Sequence, residues 1–143
     1  MSAYLDKLFS LHGKVAIVTG ASRGIGAFLV HALTEAGAYT VGIGRSSASE
    51  NPFFEGSEYC QCDILDHANF AAICGSVFAA KGRVDILVNA AGITLPASEG
   101  IDALKMFENT ISTNLLAVNS TCQSAVNFMK KIGGGSIINV TSI

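Results

Sequence analysis

The sequence predicts an α/β protein of the doubly wound kind, a parallel sheet with helices on both faces. Three observations predict it. Short apolar runs alternate with helix-like stretches along the whole chain. The fourth run, Val84 to Asn89, is almost uninterrupted in its hydrophobicity, as befits a strand covered on both faces. The first run leads into a glycine turn, Thr19 to Gly26, that opens directly onto a helical pattern. Right-handed crossovers then distribute the helices over the two faces.

Residues 1–12 read as a short lead-in helix or arm, with Leu5, Leu8, Phe9 and Leu11 on its apolar side, and residues 13–143 read as one domain. The first strand spans about Lys14 to Thr19. A helix follows over about Arg23 to Ala36 and closes at Gly37, whose access to positive φ suits a helix end. The second strand is Tyr39 to Gly44, and a polar, Pro-containing loop, Ser46 to Ser57, leads to a short third strand, Glu58 to Cys62. Asp66 is placed to cap an alanine-rich helix that runs to Lys81 and ends at Gly82. Asp85 interrupts the fourth strand near its start, where the strand end is expected to be wet. After a loop over Ile93 to Gly100, one long helical pattern covers about Ala103 to Lys130, and Gly133-Gly134-Gly135 precedes the fifth strand, Ser136 to Thr141. No internal repeat breaks this order.

A length of 143 residues suits one domain, and with half of them hydrophobic and 14% charged there is ample material for a core. A formal charge of −2 supplies no basic field for nucleic acid, and no run of like charge marks a membrane-surface helix. No stretch reaches the ~18 uninterrupted apolar residues of a membrane span, and Asp6 and Lys7 are unlike the start of a signal peptide. The expected setting is the cytoplasm, with neither nucleic acid nor membrane as partner. Cys60, Cys62, Cys74 and Cys122 lack metal-site spacing and are expected as reduced, buried thiols, so no metal site is expected. His12, His31 and His67 are expected as surface or packing residues.

The glycine turn carries the functional signal. Thr19-Gly20-Ala21-Ser22-Arg23-Gly24-Ile25-Gly26 lies between a strand and a helix start, the arrangement in which a dinucleotide's pyrophosphate rests on exposed backbone N–H groups. A side chain there would block close backbone approach, and the helix end adds about half a positive charge. Glycine turns are often mere punctuation. Here a strand precedes, a helix follows, and a second strand arrives where a βαβ unit requires one, which favours the phosphate site.

The spacing is Gly-x-x-x-Gly-x-Gly, and TGASRGIG resembles the cofactor loop of the short-chain dehydrogenases/reductases. Four further segments resemble that family in the same order. They are Cys62-Asp63-Ile64, with its adenine-contacting Asp; Asn89-Ala90-Ala91-Gly92, closing the fourth strand; Thr113-Asn114-Leu115, with a mid-helix catalytic Asn; and Asn139-Val140-Thr141-Ser142, with the catalytic Ser. The resemblance runs from Gly13 to Ile143. It implies a Rossmann-like sheet of order 3-2-1-4-5, the first five of an expected seven strands, and an NAD(P)-dependent oxidoreductase that interconverts an alcohol and a carbonyl. It implies cofactor contacts from Gly20, Ser22, Arg23, Gly24, Ile25 and Gly26, from Asp63 and Ile64, and from Asn89, Ala90, Ala91 and Gly92. It also implies that Ser142 orients the carbonyl and that Asn114 holds a proton-relay water. Simpler roles stay open: turn capping for Asp63, a structural bend at Ala90 to Gly92, a strand-end hydroxyl for Ser142 and a backbone-satisfying helix Asn for Asn114.

An NAD site usually carries an acid at the end of the second strand, about twenty residues after the glycine turn, to hold the ribose hydroxyls. Gly44 stands there, followed by Arg45 and Ser46. A glycine does not repel a 2′-phosphate, and a guanidinium binds one bidentately, with Arg23 available as a second positive charge. NADP(H) is therefore favoured over NAD(H), unless both arginines are simply solvated.

In the resembled family a Tyr, with its pKa lowered by a Lys four residues on, handles the proton. Tyr4, Tyr39 and Tyr59 have no such Lys, and no Tyr follows Ser142. The 143 residues are therefore expected to be the N-terminal part of a chain of about 250 residues, inactive and poorly folded alone. An intact mass matching these residues alone would refute that expectation. The lead-in Leu8 to Val15 resembles that of gluconate and sugar-acid dehydrogenases, so the expected small-molecule substrate is a sugar, polyol or sugar acid. A 3-oxoacyl carrier-protein reductase comes second. A nucleotide-binding sensor or scaffold without catalysis is the alternative of another class, and the presence of Ser142 and Asn114 disfavours it. The resemblance further implies a homodimer or homotetramer built through the long helical region, Ala103 to Lys130.

Overall fold

The structure is a computed structural model that describes residues 3–47, 55–94 and 102–142. In chain order the elements are α1 (Ala3–Phe9), β1 (Val15–Thr19), α2 (Gly24–Glu35), β2 (Tyr39–Gly44), β3 (Ser57–Gln61), α3 (His67–Lys81), β4 (Ile86–Asn89), α4 (Ala103–Ile111), α5 (Val118–Met129) and β5 (Ser136–Asn139). The strands form one sheet in the order β3-β2-β1-β4-β5, every pair parallel. Most of the loop expected between the second and third strands, most of the Ile93 to Gly100 loop, and Ile143 lie outside the described residues.

Alternation along β1 builds two cores from one strand, because successive side chains point to opposite faces. Val15 and Ile17 join Val41, Ile43 and Leu87 on the face that meets Phe70, Cys74 and Val77 of α3 and Ala125 and Met129 of α5. Ala16 and Val18 join Ile86 and Val88 on the face covered by α2 through Val30, Leu29 and Leu33. The α2 face is lined by smaller residues. On β2 it carries Gly42, where a β-carbon would approach the Ala21 Cβ to 2.9 Å, so α2 and its preceding loop sit close to the sheet.

The helix ends obey the expected chemistry. Asp66 accepts from the Asn69 N–H at 3.1 Å and caps α3, and Gly82 closes the helix at φ +73. Gly37 follows α2 at φ +99, with His12 packed where its side chain would be. The lead-in helix forms, yet Tyr4, Leu5, Leu8 and Phe9 are exposed on it, and Leu11 beyond its end packs against the α2-face core.

Two features depart from the sequence expectations. Asp85 is buried instead of wet: its carboxylate accepts from the Val15 N–H at 2.9 Å and from Arg83 at 2.7 and 2.6 Å, with Lys14 at 3.4 Å. Burial alone would raise its pKa, but the Arg83 hydrogen bonds, the Val15 N–H and the two positive charges together hold it below the usual carboxylate value. The long helical region is also not one α-helix. Between α4 and α5 the chain passes through a π-helical turn, Ser112–Ala117, and it closes in a 3-10 turn, Lys130–Ile132. A π turn inserted in an α-helix is a common accompaniment of a functional position.

Candidate active site

The carboxyl ends of β1, β2 and β4 open onto a cleft of about 650 Å³, at the place where open parallel sheets bind ligands. The cleft brings together Gly20, Ser22, Arg23, Gly24, Ile25 and Gly26 with Arg45, Ser46, Asp63, Ile64, Ala90, Ala91 and Gly92. Nearly the whole set of cofactor residues expected from the sequence thus shares one wall-to-wall surface, although it comes from separate segments of the chain.

The three glycines of the turn have different duties. A β-carbon at Gly20 would lie 2.7 Å from the Ala91 N and Cα, and one at Gly26 would overlap the Gly20 carbonyl. Both therefore serve close packing of the protein on itself. Thr19 completes that seam, its buried hydroxyl accepting from the Ala90 and Ala91 N–H groups at 3.2 Å each. Gly24 is different: at φ +59 it lines the cleft, and a β-carbon there would meet nothing within 4 Å.

The N-terminus of α2 fits an anionic group on the structure's own terms. Its N-cap, Arg23, is extended at φ −165 and provides no side-chain hydrogen bond to the helix, and the first turn holds no acid. The orphan N–H groups of this twelve-residue helix therefore face the cleft without the usual side-chain partner. Arg23 and Arg45 both line the cleft, and neither forms an ion pair with an acid among the described residues. A dinucleotide phosphate would supply the missing partner for all three.

Asp63 lies on the cleft wall with one carboxylate oxygen already accepting from the Leu65 N–H at 3.0 Å. It caps a turn, as one alternative for it held, and its second oxygen takes no hydrogen bond among the described residues. Asn89 is not on that wall. Its side chain is buried and points toward α5 and β5, donating to Asn139 Oδ1 at 2.9 Å and Cys122 Sγ at 3.3 Å and accepting from the Thr121 hydroxyl at 2.8 Å. The two-residue period of a strand explains this difference: Asn89 shares the α3/α5 side of the sheet with Leu87, and the chain leaves the strand before reaching the cleft.

Asn114 lies in the π turn, and both ends of its amide are engaged with one residue. Oδ1 accepts from the Ile93 N–H and Nδ2 donates to the Ile93 carbonyl, each at 2.8 Å. The pair ties the helix to the strand-four loop beside Gly92, so the side chain braces the cleft wall. Ser142 follows β5 as an exposed residue and does not line the cleft.

Ile43, Leu65 and Ile93 also line the cleft without having been picked out from the sequence, and Cys62 and Thr113, quoted there only as neighbours of Asp63 and Asn114, line it themselves. Their proximity arises from strand register and from the π turn. Cys62 is buried, and burial with the nearby Asp66 and Asp63 charges pushes its thiol pKa upward, which favours the unreactive thiol. The cysteines are free, with Cys62 and Cys74 buried and Cys60 and Cys122 half-buried, and burial pushes the Cys74 thiol up to about 12. No cluster of three metal-ligating side chains occurs among the described residues.

Comparison with known proteins agrees with the geometry. The family model for short chain dehydrogenases matches residues 14–143. The chain is 34% identical to a D-threitol dehydrogenase of Mycolicibacterium smegmatis over 96% of its length and 56% of that protein's. It is 36% identical to a gluconate 5-dehydrogenase of Gluconobacter oxydans over 95% of its length and 56% of that protein's. Relatives of similar identity are named as hydroxysteroid dehydrogenases and as a 3-oxoacyl-[acyl-carrier-protein] reductase. Among solved structures, that of gox2181 superposes with a TM-score of 0.84 at 27% identity, covering 97% of this chain and 57% of that one. The chain thus spans a little over half the length of the relatives it matches. A family model that matches residues 14–143, together with relatives about a third identical over nearly the whole chain, means that the chain belongs to the short-chain dehydrogenase/reductase family.

Proposed function

We propose that this chain forms the cofactor-binding part of an NADP(H)-preferring oxidoreductase that interconverts an alcohol and a carbonyl. The observation that carries the reading is the uncapped N-terminus of α2 opening on a cleft with two guanidiniums, Arg23 and Arg45, that lack acid partners among the described residues. The dinucleotide, when bound, supplies or accepts the hydride. The α2 N–H groups and Gly24 receive its pyrophosphate, and Arg45 with Ser46 receives the adenosine 2′-phosphate, assisted by Arg23. Asp63 accepts from the adenine amino group with its second oxygen, and Ile64 packs beside the base. Ala90 to Gly92 present backbone and small side chains to the ribose. Ser142 orients the carbonyl oxygen of the substrate, and Asn114 keeps the floor of the site in place through Ile93. The reading requires a Tyr-x-x-x-Lys pair from chain beyond residue 143.

The substrate we propose is a polyol or sugar acid, supported by the relatives named for D-threitol and gluconate. Reduction of a 3-oxoacyl carrier-protein thioester is the second reading, supported by the relative so named at 33% identity. The apolar side of α4 and the π turn is the proposed contact between subunits of a dimer or tetramer. Titration of the whole protein with NADPH and NADH tests the central proposal. NADPH is expected to bind at least about tenfold more tightly, the difference of one charge-assisted contact; equal or tighter NADH binding refutes it.

A further inference from the structure

We infer that Tyr59 and Gln61 of β3 are positioning residues for the adenosine 2′-phosphate, holding the Arg45-Ser46 segment in its receptive shape, an inference that rests on the NADP(H) reading above. Three consecutive carbonyls at the end of β2 are each taken by β3 or the residue after it. The Gly44 carbonyl accepts from the Cys62 N–H at 2.8 Å. The Arg45 carbonyl accepts from Gln61 Nε2 at 2.8 Å, and the Ser46 carbonyl accepts from the Tyr59 hydroxyl at 3.1 Å. Only the first is an ordinary continuation of the strand ladder; the other two are side chains reaching across to backbone.

The register makes this reach possible. Tyr59 pairs with Gly42 and Gln61 with Gly44, so both point to the α2 face, two residues apart. The β2 positions they cross have no side chains. A β-carbon at Gly44 would overlap the Tyr59 hydroxyl and lie 3.1 Å from the Ser22 Cβ, and one at Gly42 would touch the Tyr59 ring at 3.6 Å. The phenol therefore fills the space in which an NAD-type acid at position 44 would stand, a space that Ser22 of the glycine turn also borders. One side chain thereby does two things: it excludes the acid that would hold a ribose 2′-hydroxyl, and it fixes the segment that carries the guanidinium. A guanidinium anchored on a fixed backbone loses less freedom on binding a phosphate than one on a mobile loop.

The test uses Tyr59→Phe and Gln61→Met, alone and together, in the whole protein, with dissociation constants for NADPH and NADH from fluorescence titration. Each single variant is expected to weaken NADPH binding about threefold to tenfold, the range for one lost hydrogen bond, and to leave NADH binding unchanged. Unchanged NADH binding also reports an intact fold. In an Arg45→Ala, Ser46→Ala background the same substitutions should have no further effect on NADPH, because they act through that segment. A wild type that prefers NADPH with variants that bind both cofactors as it does would overturn this inference and leave the cofactor preference standing. Equal weakening of both cofactors would also overturn it, showing Tyr59 to be a packing residue. A wild type without preference for NADPH would remove both.

Discussion

A methyl group added at Gly26 and one added at Gly24 would meet opposite surroundings, although a single residue separates them. At Gly26 it meets the Gly20 carbonyl, which is backbone and cannot rotate away. Gly26→Ala is expected to cost about 3 kcal/mol in urea unfolding, in the range of overpacking. At Gly24 it meets open space, and Gly24→Ala costs about 1 kcal/mol for the left-handed backbone alone. The binding effect should be reversed in emphasis: Gly24→Ala retains the fold but weakens NADPH binding at least about tenfold, measured by fluorescence titration, because the methyl stands beside the α2 N–H groups. Sequence reading identified all three glycines but assigned them one common purpose. Their division into packing and binding depends on Ala91 and on the Gly20 carbonyl, contacts that no spacing rule encodes. Asp85 gives a second prediction at this scale. Its folded pKa is depressed, so its contribution is present above about pH 4 and is lost as pH falls through the folded value. Asp85→Asn should lower stability by about 1–3 kcal/mol at pH 7, and its difference from wild type should shrink as pH falls below about 4, followed by urea unfolding across that range.

The π turn Ser112–Ala117 and the loop after β4 act as one element through Asn114. Asn114→Leu removes both bonds to Ile93 and leaves a backbone N–H and carbonyl without their partner. The expected result is faster amide hydrogen exchange at Ile93, with the β4 amides still protected; wild-type exchange at Ile93 in that variant would contradict the bracing role. At this scale much was legible in the sequence. The five strands, the α3 cap at Asp66 and the glycine ends at Gly37 and Gly82 arise from apolar runs and local capping chemistry, whereas the strand order was what the resemblance to the family implied. What stayed hidden was interaction between distant elements. Tyr59 and Gln61 reach segments thirteen to sixteen residues away, and Asn89 turns from the cleft to join Thr121 and Asn139. A side chain bonded to remote backbone adds no period and no motif, so these arrangements are visible only once the strands are in register.

At the scale of the molecule, exposed apolar side chains among the described residues recur on α4 and the π turn as well as beside the cleft. Leu104 and Phe107 of α4 and Leu115 and Leu116 of the π turn are each more than half exposed. Spacings of three and four residues along a helix put several of these side chains on a shared side, and a contiguous exposed apolar patch usually marks an interaction surface. The subunit contact proposed there predicts that Phe107→Asp with Leu115→Arg yields a smaller species than wild type by light scattering; a monomeric wild type would rule the contact out. The sheet also separates its tasks along the strand direction. The carboxyl ends carry the cleft, whereas the amino ends of β1 and β4 are clamped by Asp85 between Arg83 and Lys14. Five residues of strand, about 16 Å, lie between the two. That distance makes the Lys81-Gly82 turn, next to the clamp, a suitable anchor for tethering the protein to a solid support or an electrode, since a linker attached there leaves the opposite rim facing solution.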